Sequence, residues 1–327
     1  MGQFKVLVPQ KIAQEGIKLL EENGCTIVYT ENDEIETVKE AVADCDAVLV
    51  RTTIINEEII NQAKKLKVIA RHGVGLDNID VEAATKNNIY VCNAPTSNIK
   101  SVAEHVVGLM TAVSHQIVRA DKAIRKGEFG VRNTYIGTEL DGKTVGLIGL
   151  GNIGKLVAKK CALGFDMNVI AYDPKITSIC EDYIELVDSI DEVMIRSDFV
   201  TLHVPYLKPL HHFIDKKMIG KMKSTAYFIN AARGGLVDEE ALFQALISGK
   251  IAGAGLDCFE EEPTPKDHPI FGLEQVVVTP HMAAHTKDAM VRMAVDPANE
   301  ILRLKNNEKL MNPVNIPIGT VSKVEVR

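Results

Sequence analysis

Short apolar runs alternate with amphipathic segments along almost the whole chain. Runs at 5–8, 26–29, 47–50, 67–71 and 89–92 have strand length, and segments such as 12–22 and 57–64 between them repeat apolar residues at helical spacing. Strands apolar at nearly every position are buried on both faces, which predicts a parallel sheet with helices on either side. The rhythm resumes downstream, where 198–203, 226–230, 251–257 and 275–279 read as strands. Asp238 stands where an N-cap is expected for a helix running to Ser248, with Gly249 as the residue after its end. No low-complexity or Ser/Gly linker separates the two stretches. Their junction is a helical pattern over 101–126, with Val102, Val106, Leu109, Val113, Ile117, Ala120 and Ile124 in one stripe and Val107, Met110 and Val118 off it. A helix apolar on more than one face needs cover on more than one side, from both domains and a neighbour or from a second subunit.

The second stretch opens on the most specific local signal. The apolar run from Val145 to Ile148 leads into Gly149-Leu150-Gly151-Asn152-Ile153-Gly154, then a helical run, then a strand at Asn168–Tyr172 followed by Asp173. This is a complete strand–helix–strand unit with a glycine-rich turn, the arrangement that holds a dinucleotide. Gly149 permits the tight turn, Gly151 lets a pyrophosphate approach the backbone, and Gly154 lets the helix pack against the strand. Asn152 and Ile153 open the helix whose free N–H groups face the phosphates. Asp173, 19 residues beyond Gly154, is placed to accept from ribose hydroxyls and to repel a 2′-phosphate. NAD is therefore expected over NADP, and Lys175 tempers this only slightly.

Composition narrows the class further. The 327 residues, 46% hydrophobic and 25% charged, allow one large or two medium domains. A net charge of −7 argues against nucleic acid or an anionic membrane as main partner, while leaving room for a local basic pocket that binds a small anionic metabolite. Six cysteines lie scattered without C-x-x-C spacing, the usage of a reduced, cytoplasmic protein. The first residues carry no secretory pattern, Val6 spoils a myristoylation match, and no apolar stretch has membrane-spanning length. No third ligand has useful spacing from the pair His211-His212, so no metal is expected.

Several ordered motifs then carry a resemblance. They are Ala70-Arg71-His72-Gly73-Val74-Gly75-Leu76-Asp77-Asn78-Ile79-Asp80, Asn93-Ala94-Pro95 followed by Asn98 and Ser101-Val102-Ala103-Glu104, and the glycine fingerprint. His203-Val204-Pro205, Asn230-Ala231-Ala232-Arg233-Gly234-Gly235, Gly255-Leu256-Asp257 with Glu262-Pro263, and Thr279-Pro280-His281 continue them. Over nearly its full length the chain resembles the D-isomer-specific 2-hydroxyacid dehydrogenase family, in particular its phosphoglycerate dehydrogenase-like members. The resemblance implies two doubly wound α/β domains, with a Rossmann NAD domain at 100–290 inserted into a flavodoxin-like substrate domain made of 1–99 and 291–327. It also implies a homodimer that pairs through the 101–126 helix.

The same resemblance assigns roles, and the chemistry asks for these residue types. Reduction of a 2-oxo acid to a D-2-hydroxy acid builds charge on the carbonyl oxygen, so a proton donor working near neutrality is needed, and this role falls on His281. Glu262 would hold the imidazole, and Arg233 would grip the substrate carboxylate with its planar fork. Glu262 otherwise reads as part of a solvated acidic run, Glu260-Glu261-Glu262. The cofactor set would be completed by His203, Val204, Pro205, Ala231 and Ala232, with Asp257 on the nicotinamide carboxamide. The amides of Gly73, Val74 and Gly75 resemble the family's carboxylate loop, with Asn98 nearby. Arg51 and Arg71 match basic positions used for a phosphorylated substrate, although Arg71 could equally brace the loop. Hydroxypyruvate, glyoxylate and the 3-phosphoglycerate couple all remain open as substrates, and Glu262 argues against a formate dehydrogenase. The chain ends at Arg327, without the C-terminal regulatory domain of long phosphoglycerate dehydrogenases, so serine feedback is not expected. The alternative is an NAD-sensing scaffold resembling the transcriptional co-repressors of this fold.

Overall fold

The computed structural model describes residues 3–317. In chain order the strands and α-helices are β1 (Phe4–Val8), α1 (Gln14–Glu22), β2 (Cys25–Tyr29), α2 (Ile35–Val42), β3 (Ala47–Val50), α3 (Glu57–Gln62), β4 (Val68–Arg71), α4 (Val81–Lys86), β5 (Tyr90–Cys92), α5 (Ile99–Ser114) and α6 (Ile117–Ile124). They continue with β6 (Thr144–Ile148), α7 (Asn152–Phe165), β7 (Asn168–Tyr172), β8 (Ile184–Leu186), α8 (Ile190–Arg196), β9 (Phe199–Leu202), α9 (Lys216–Ile219), β10 (Tyr227–Asn230), α10 (Glu239–Ile247), β11 (Gly253–Leu256), β12 (Val276–Val278) and α11 (Lys287–Lys305). The chain divides into one unit of residues up to 98 and from 285 onward, and another of Ile99–Ala284.

The first unit is a five-stranded parallel sheet in the order β2-β1-β3-β4-β5, the doubly wound order of flavodoxin-type folds. Alternation along β1 sends Leu7 to one face, with Val38 and Val42 of α2 and Ile59 and Ile60 of α3. Val6 and Val8 go to the other face, with Ile17 and Leu20 of α1 and Ala294, Ala298 and Ile301 of α11. Both faces are thus covered, as the uniformly apolar strands require. Thr286 caps α11 by accepting the Ala289 N–H at 3.2 Å, and the whole helix packs into this unit. The chain therefore returns at 284/285, whereas the sequence reading put the crossing at 290/291.

The second unit is a seven-stranded parallel sheet in the order β12-β11-β10-β9-β6-β7-β8. Chain order reverses between β6 and β9, the point where Rossmann-type sheets open a crevice for ligands. Asp238 caps α10, accepting the Ala241 N–H at 2.9 Å, and Gly249 follows the helix at φ +68°. The strand β8 and helix α8, capped by Ser189, lie where no element was expected.

The junction helix expected over 101–126 is two helices. Gln116 adopts the left-handed conformation at φ +54° and separates α5 from α6. Leu109 and Val113 are buried by the unit's own sheet, lying against Gly255 and Gly253 of β11. The exposed apolar residues come later, at Ile117, Ile124, Phe129 and Ile136. Five of the six cysteines are buried, Cys180 is exposed, and none forms a disulfide. Among the described residues no helix is long and apolar enough to cross a membrane.

Candidate active site

The glycine turn follows β6 directly. Gly149 sits at φ +97°, and a Cβ there would stand 2.6 Å from the carbonyl oxygen of His203 and 2.9 Å from Val204 Cγ1, so the turn is pressed against the segment after β9. Only glycine tolerates both the backbone angle and the contact. A Cβ on Gly151, by contrast, would meet nothing within 4 Å. Gly151 precedes α7 with no side-chain cap, so the amides of Asn152, Ile153 and Gly154 are left for an external acceptor. Asp173 accepts the Leu150 N–H through Oδ2 and the Lys175 N–H through Oδ1, each at 2.9 Å, which fixes its carboxylate beside the turn. Open space over Gly151, an uncapped helix start and an anchored acid together fit a dinucleotide. Burial pushes His203 down to about 3, so its imidazole is neutral. Pro205, next in this segment, is exposed.

At the end of β10 the buried Asn230 organises the following turn. Its Oδ1 accepts the Ala232 N–H at 3.0 Å and its Nδ2 donates to the Arg233 carbonyl at 3.0 Å, which sets Ala231, Ala232 and Arg233 in place. Arg233 Nη1 donates to the Ala232 carbonyl at 2.7 Å. Glu262 Oε2 lies 2.7 Å from His281 Nδ1, and Oε1 accepts the Phe259 N–H at 3.0 Å. Burial works to raise the Glu262 carboxyl, but the hydrogen bonds from His281 and Phe259 and the charges of His281 and Arg233 outweigh it and hold the group below the usual carboxylate range. An ionised carboxylate only accepts, so Nδ1 of His281 carries the hydrogen and Nε2 is left for another partner.

His281 itself is held in the left-handed region at φ +48°. Asp257, 1% exposed, makes that turn possible: its carboxylate accepts the Met282 N–H at 2.9 Å, the Ala283 N–H at 2.8 Å and the Thr279 hydroxyl at 2.5 Å. Its carbonyl also accepts the His281 N–H at 2.6 Å. Burial works to raise the Asp257 carboxyl, but these donors and His105, 3.4 Å away, keep it lowered. Asn230, Thr279 and His105 carried no role in the sequence reading. Asn230 and Thr279 do stand inside the motifs, each a buried or half-buried polar residue at a strand end.

In the first unit, Gly73 follows β4 at φ +134°. The carbonyls of Gly73 and Val74 accept from the Ala94 N–H and from Asn93 Nδ2, each at 2.9 Å. In a trans peptide C=O and N–H point oppositely, so the amides of Val74 and Gly75 each point away from these two donors. The Gly73 amide, expected to join them, is instead spent on the Arg71 carbonyl at 2.9 Å. Arg71 donates from Nε to Asn78 at 3.1 Å and from Nη1 to the His72 carbonyl, which braces the loop. Arg51 Nη2 lies 2.8 Å from His285 Nε2. Asn98 Oδ1 is buried without a hydrogen-bond partner. His72, 3% exposed, is pushed down to about 4 by burial and by the charges of Arg51 and Arg71. Among the described residues no cluster of three His, Cys, Asp or Glu side chains is arranged for a metal, and His211 and His212 stack ring on ring at 3.8 Å.

Comparison with known proteins bears on this geometry. Residues 107–283 match the family model described as D-isomer specific 2-hydroxyacid dehydrogenase, NAD binding domain. A D-3-phosphoglycerate dehydrogenase of Methanocaldococcus jannaschii is 45% identical over 316 residues, which are 96% of this chain and 60% of that protein. The chain thus spans about 60% of the length of such relatives. A hydroxypyruvate reductase of Thermotoga maritima is 40% identical, with 93% of this chain and 99% of that one covered. The crystal structure of a D-lactate dehydrogenase from Aquifex aeolicus, complexed with NAD and lactic acid, superposes with a TM-score of 0.83 at 29% identity, covering 95% of this chain and 98% of that one.

Proposed function

From the membership of this chain in the D-isomer-specific 2-hydroxyacid dehydrogenase family, we propose that it is an NAD-dependent oxidoreductase interconverting a 2-oxo acid and a D-2-hydroxy acid. The observation that carries this reading is the Glu262–His281 pair at 2.7 Å, with Arg233 acting on the same carboxylate. When bound, NADH supplies the hydride that reaches the carbonyl carbon. His281, protonated on both nitrogens, then gives its Nε2 proton to the carbonyl oxygen and is left as the neutral Nδ1–H ring, while the hydrogen bond from Nδ1 to Glu262 holds the ring's orientation. Arg233 takes the substrate carboxylate and draws charge toward the carbonyl oxygen. In the first unit the amides of Val74 and Gly75 offer a neutral cradle for a carboxylate, and Asn98 Oδ1, buried without a partner, suits a donor such as a hydroxyl. Asp257, expected on the carboxamide, is in this reading first the anchor of the His281 turn. Gly151, the start of α7, Asp173, His203 and Val204 hold the dinucleotide.

Relatives named for phosphoglycerate, hydroxypyruvate and glyoxylate make the small 2-oxo acids the set to compare. The test is a panel of hydroxypyruvate, glyoxylate, pyruvate, branched 2-oxo acids and phosphorylated hydroxypyruvate, each followed by loss of NADH absorbance. Turnover of at least one supports the reading, and no turnover of any sinks it. A preference for the phosphorylated member would give Arg51 and Arg71 a substrate role beyond the bracing described. Exposed Ile117, Ile124, Phe129 and Ile136 support a homodimer paired through this part of the second unit, and the unpaired cysteines suit the cytoplasm.

A further inference from the structure

Behind Glu262 lies a group of acids and histidines that the chemistry above leaves unused. Glu260 Oε1 accepts the Glu239 N–H at 2.9 Å, and Glu239 Oε1 accepts the Glu260 N–H at 2.8 Å. Each carboxylate turns its second oxygen to a histidine: Glu260 Oε2 is 2.9 Å from His212 Nε2, and Glu239 Oε2 is 3.2 Å from His268 Nε2. The His212 N–H donates to the Gly235 carbonyl at 3.0 Å. Burial pushes the Glu239 carboxyl up, and the Glu260 N–H and His268 work against that push.

These contacts converge on the peptide between Phe259 and Glu260. Its N–H is held by Glu239, and its carbonyl carbon would lie 1.9 Å from a Cβ on Gly234, so the backbone beside Arg233 is pressed directly on it. The preceding N–H, that of Phe259, aims Glu262 Oε1. At the start of α10 Asp238 takes the Ala241 N–H and Glu260 takes the Glu239 N–H, so the helix start and the loop of Glu262 are held to each other. We propose that Glu239 and Glu260 are positioning residues: their reciprocal clamp locks the loop of Glu262 onto the turn of Arg233 and so delivers the Glu262 carboxylate to His281 Nδ1. The inference rests on the proposed function, in which Glu262 orients His281.

Glu260→Ala removes the clamp, whereas Glu260→Gln keeps an oxygen that can accept the Glu239 N–H. In Glu260→Ala we expect kcat to fall about tenfold or more with unchanged NADH affinity, since misplacing a catalytic group by about an ångström is costly. In the NMR spectrum of the free protein, the downfield resonance of the His281 Nδ1 proton should broaden with solvent exchange. Glu260→Gln should restore most of both. Unchanged kcat and resonance in a Glu260→Ala protein that binds NADH would overturn the proposal. So would loss of NADH binding in Glu260→Ala and Glu239→Ala alike, which would assign the pair to maintaining the fold. A wild-type protein that reduces no 2-oxo acid would instead remove the functional reading, and the resonance comparison would still decide whether the clamp sets the histidine.

Discussion

A non-glycine residue at φ +48° carries strain on the order of 1 kcal/mol, and His281 accepts it because two amides beyond it are taken up by buried Asp257. The ring is therefore presented by its backbone as much as by Glu262. His281→Ala is expected to lower kcat by roughly 10² to 10⁴ with NADH binding retained, read by steady-state kinetics and NADH fluorescence. His72 tests a different property. Its folded value of about 4 lies below its ordinary 6.5, so the unfolded chain binds the proton first and stability rises with pH through this interval. The contribution is complete above pH 6.5 and is lost on acidification toward pH 4, on the order of 3 kcal/mol. Urea unfolding at successive pH values should show this loss, and His72→Phe should reduce it. We assign Asp173 two purposes, repelling a 2′-phosphate and accepting the Leu150 N–H of the nucleotide turn together with the Lys175 N–H. Asp173→Ala should narrow the preference for NADH over NADPH while weakening both, and equal kcat/KM for the two cofactors in the wild type would refute the first purpose. The motif residues were legible because their signals are local. Asp257 as a backbone anchor was not, since the amides it accepts lie 25 and 26 positions away and amides have no sequence signature.

Among the elements, strands β1 to β5 and β9 to β12 fall within two residues of the runs that announced them, because burial on both faces forces continuous apolar composition. The caps at Asp238 and after α10 were equally readable. Strand β8 was not: it is three residues at the sheet edge, with Glu185 facing solvent in its middle. Periodicity also ran straight through Gln116, since a single left-handed residue leaves the apolar spacing on either side intact. That break reassigns the stripe. Leu109 and Val113 belong to the unit's interior, so charged replacements there should lower the unfolding midpoint steeply. Ile124→Glu with Phe129→Glu, at exposed positions, should leave thermal unfolding nearly unchanged and act on association instead.

For the whole molecule, static light scattering at micromolar concentration should return twice the chain mass for the wild type and a lower value for the Ile124 and Phe129 pair of replacements. A wild-type monomer would refute the proposed pairing. The distribution of thiols has a practical consequence. Cys180 alone is exposed among six cysteines, and burial raises the five others well above the ordinary thiol range or keeps them from reagent. Its neighbour Glu181 is joined to Lys155, at the first turn of α7 beside the glycine loop. The unaltered chain therefore carries a natural single attachment point for a fluorophore next to the nucleotide turn. A maleimide dye should label it at one equivalent and change its emission on titration with NADH, turning the protein into an optical reporter of its own occupancy.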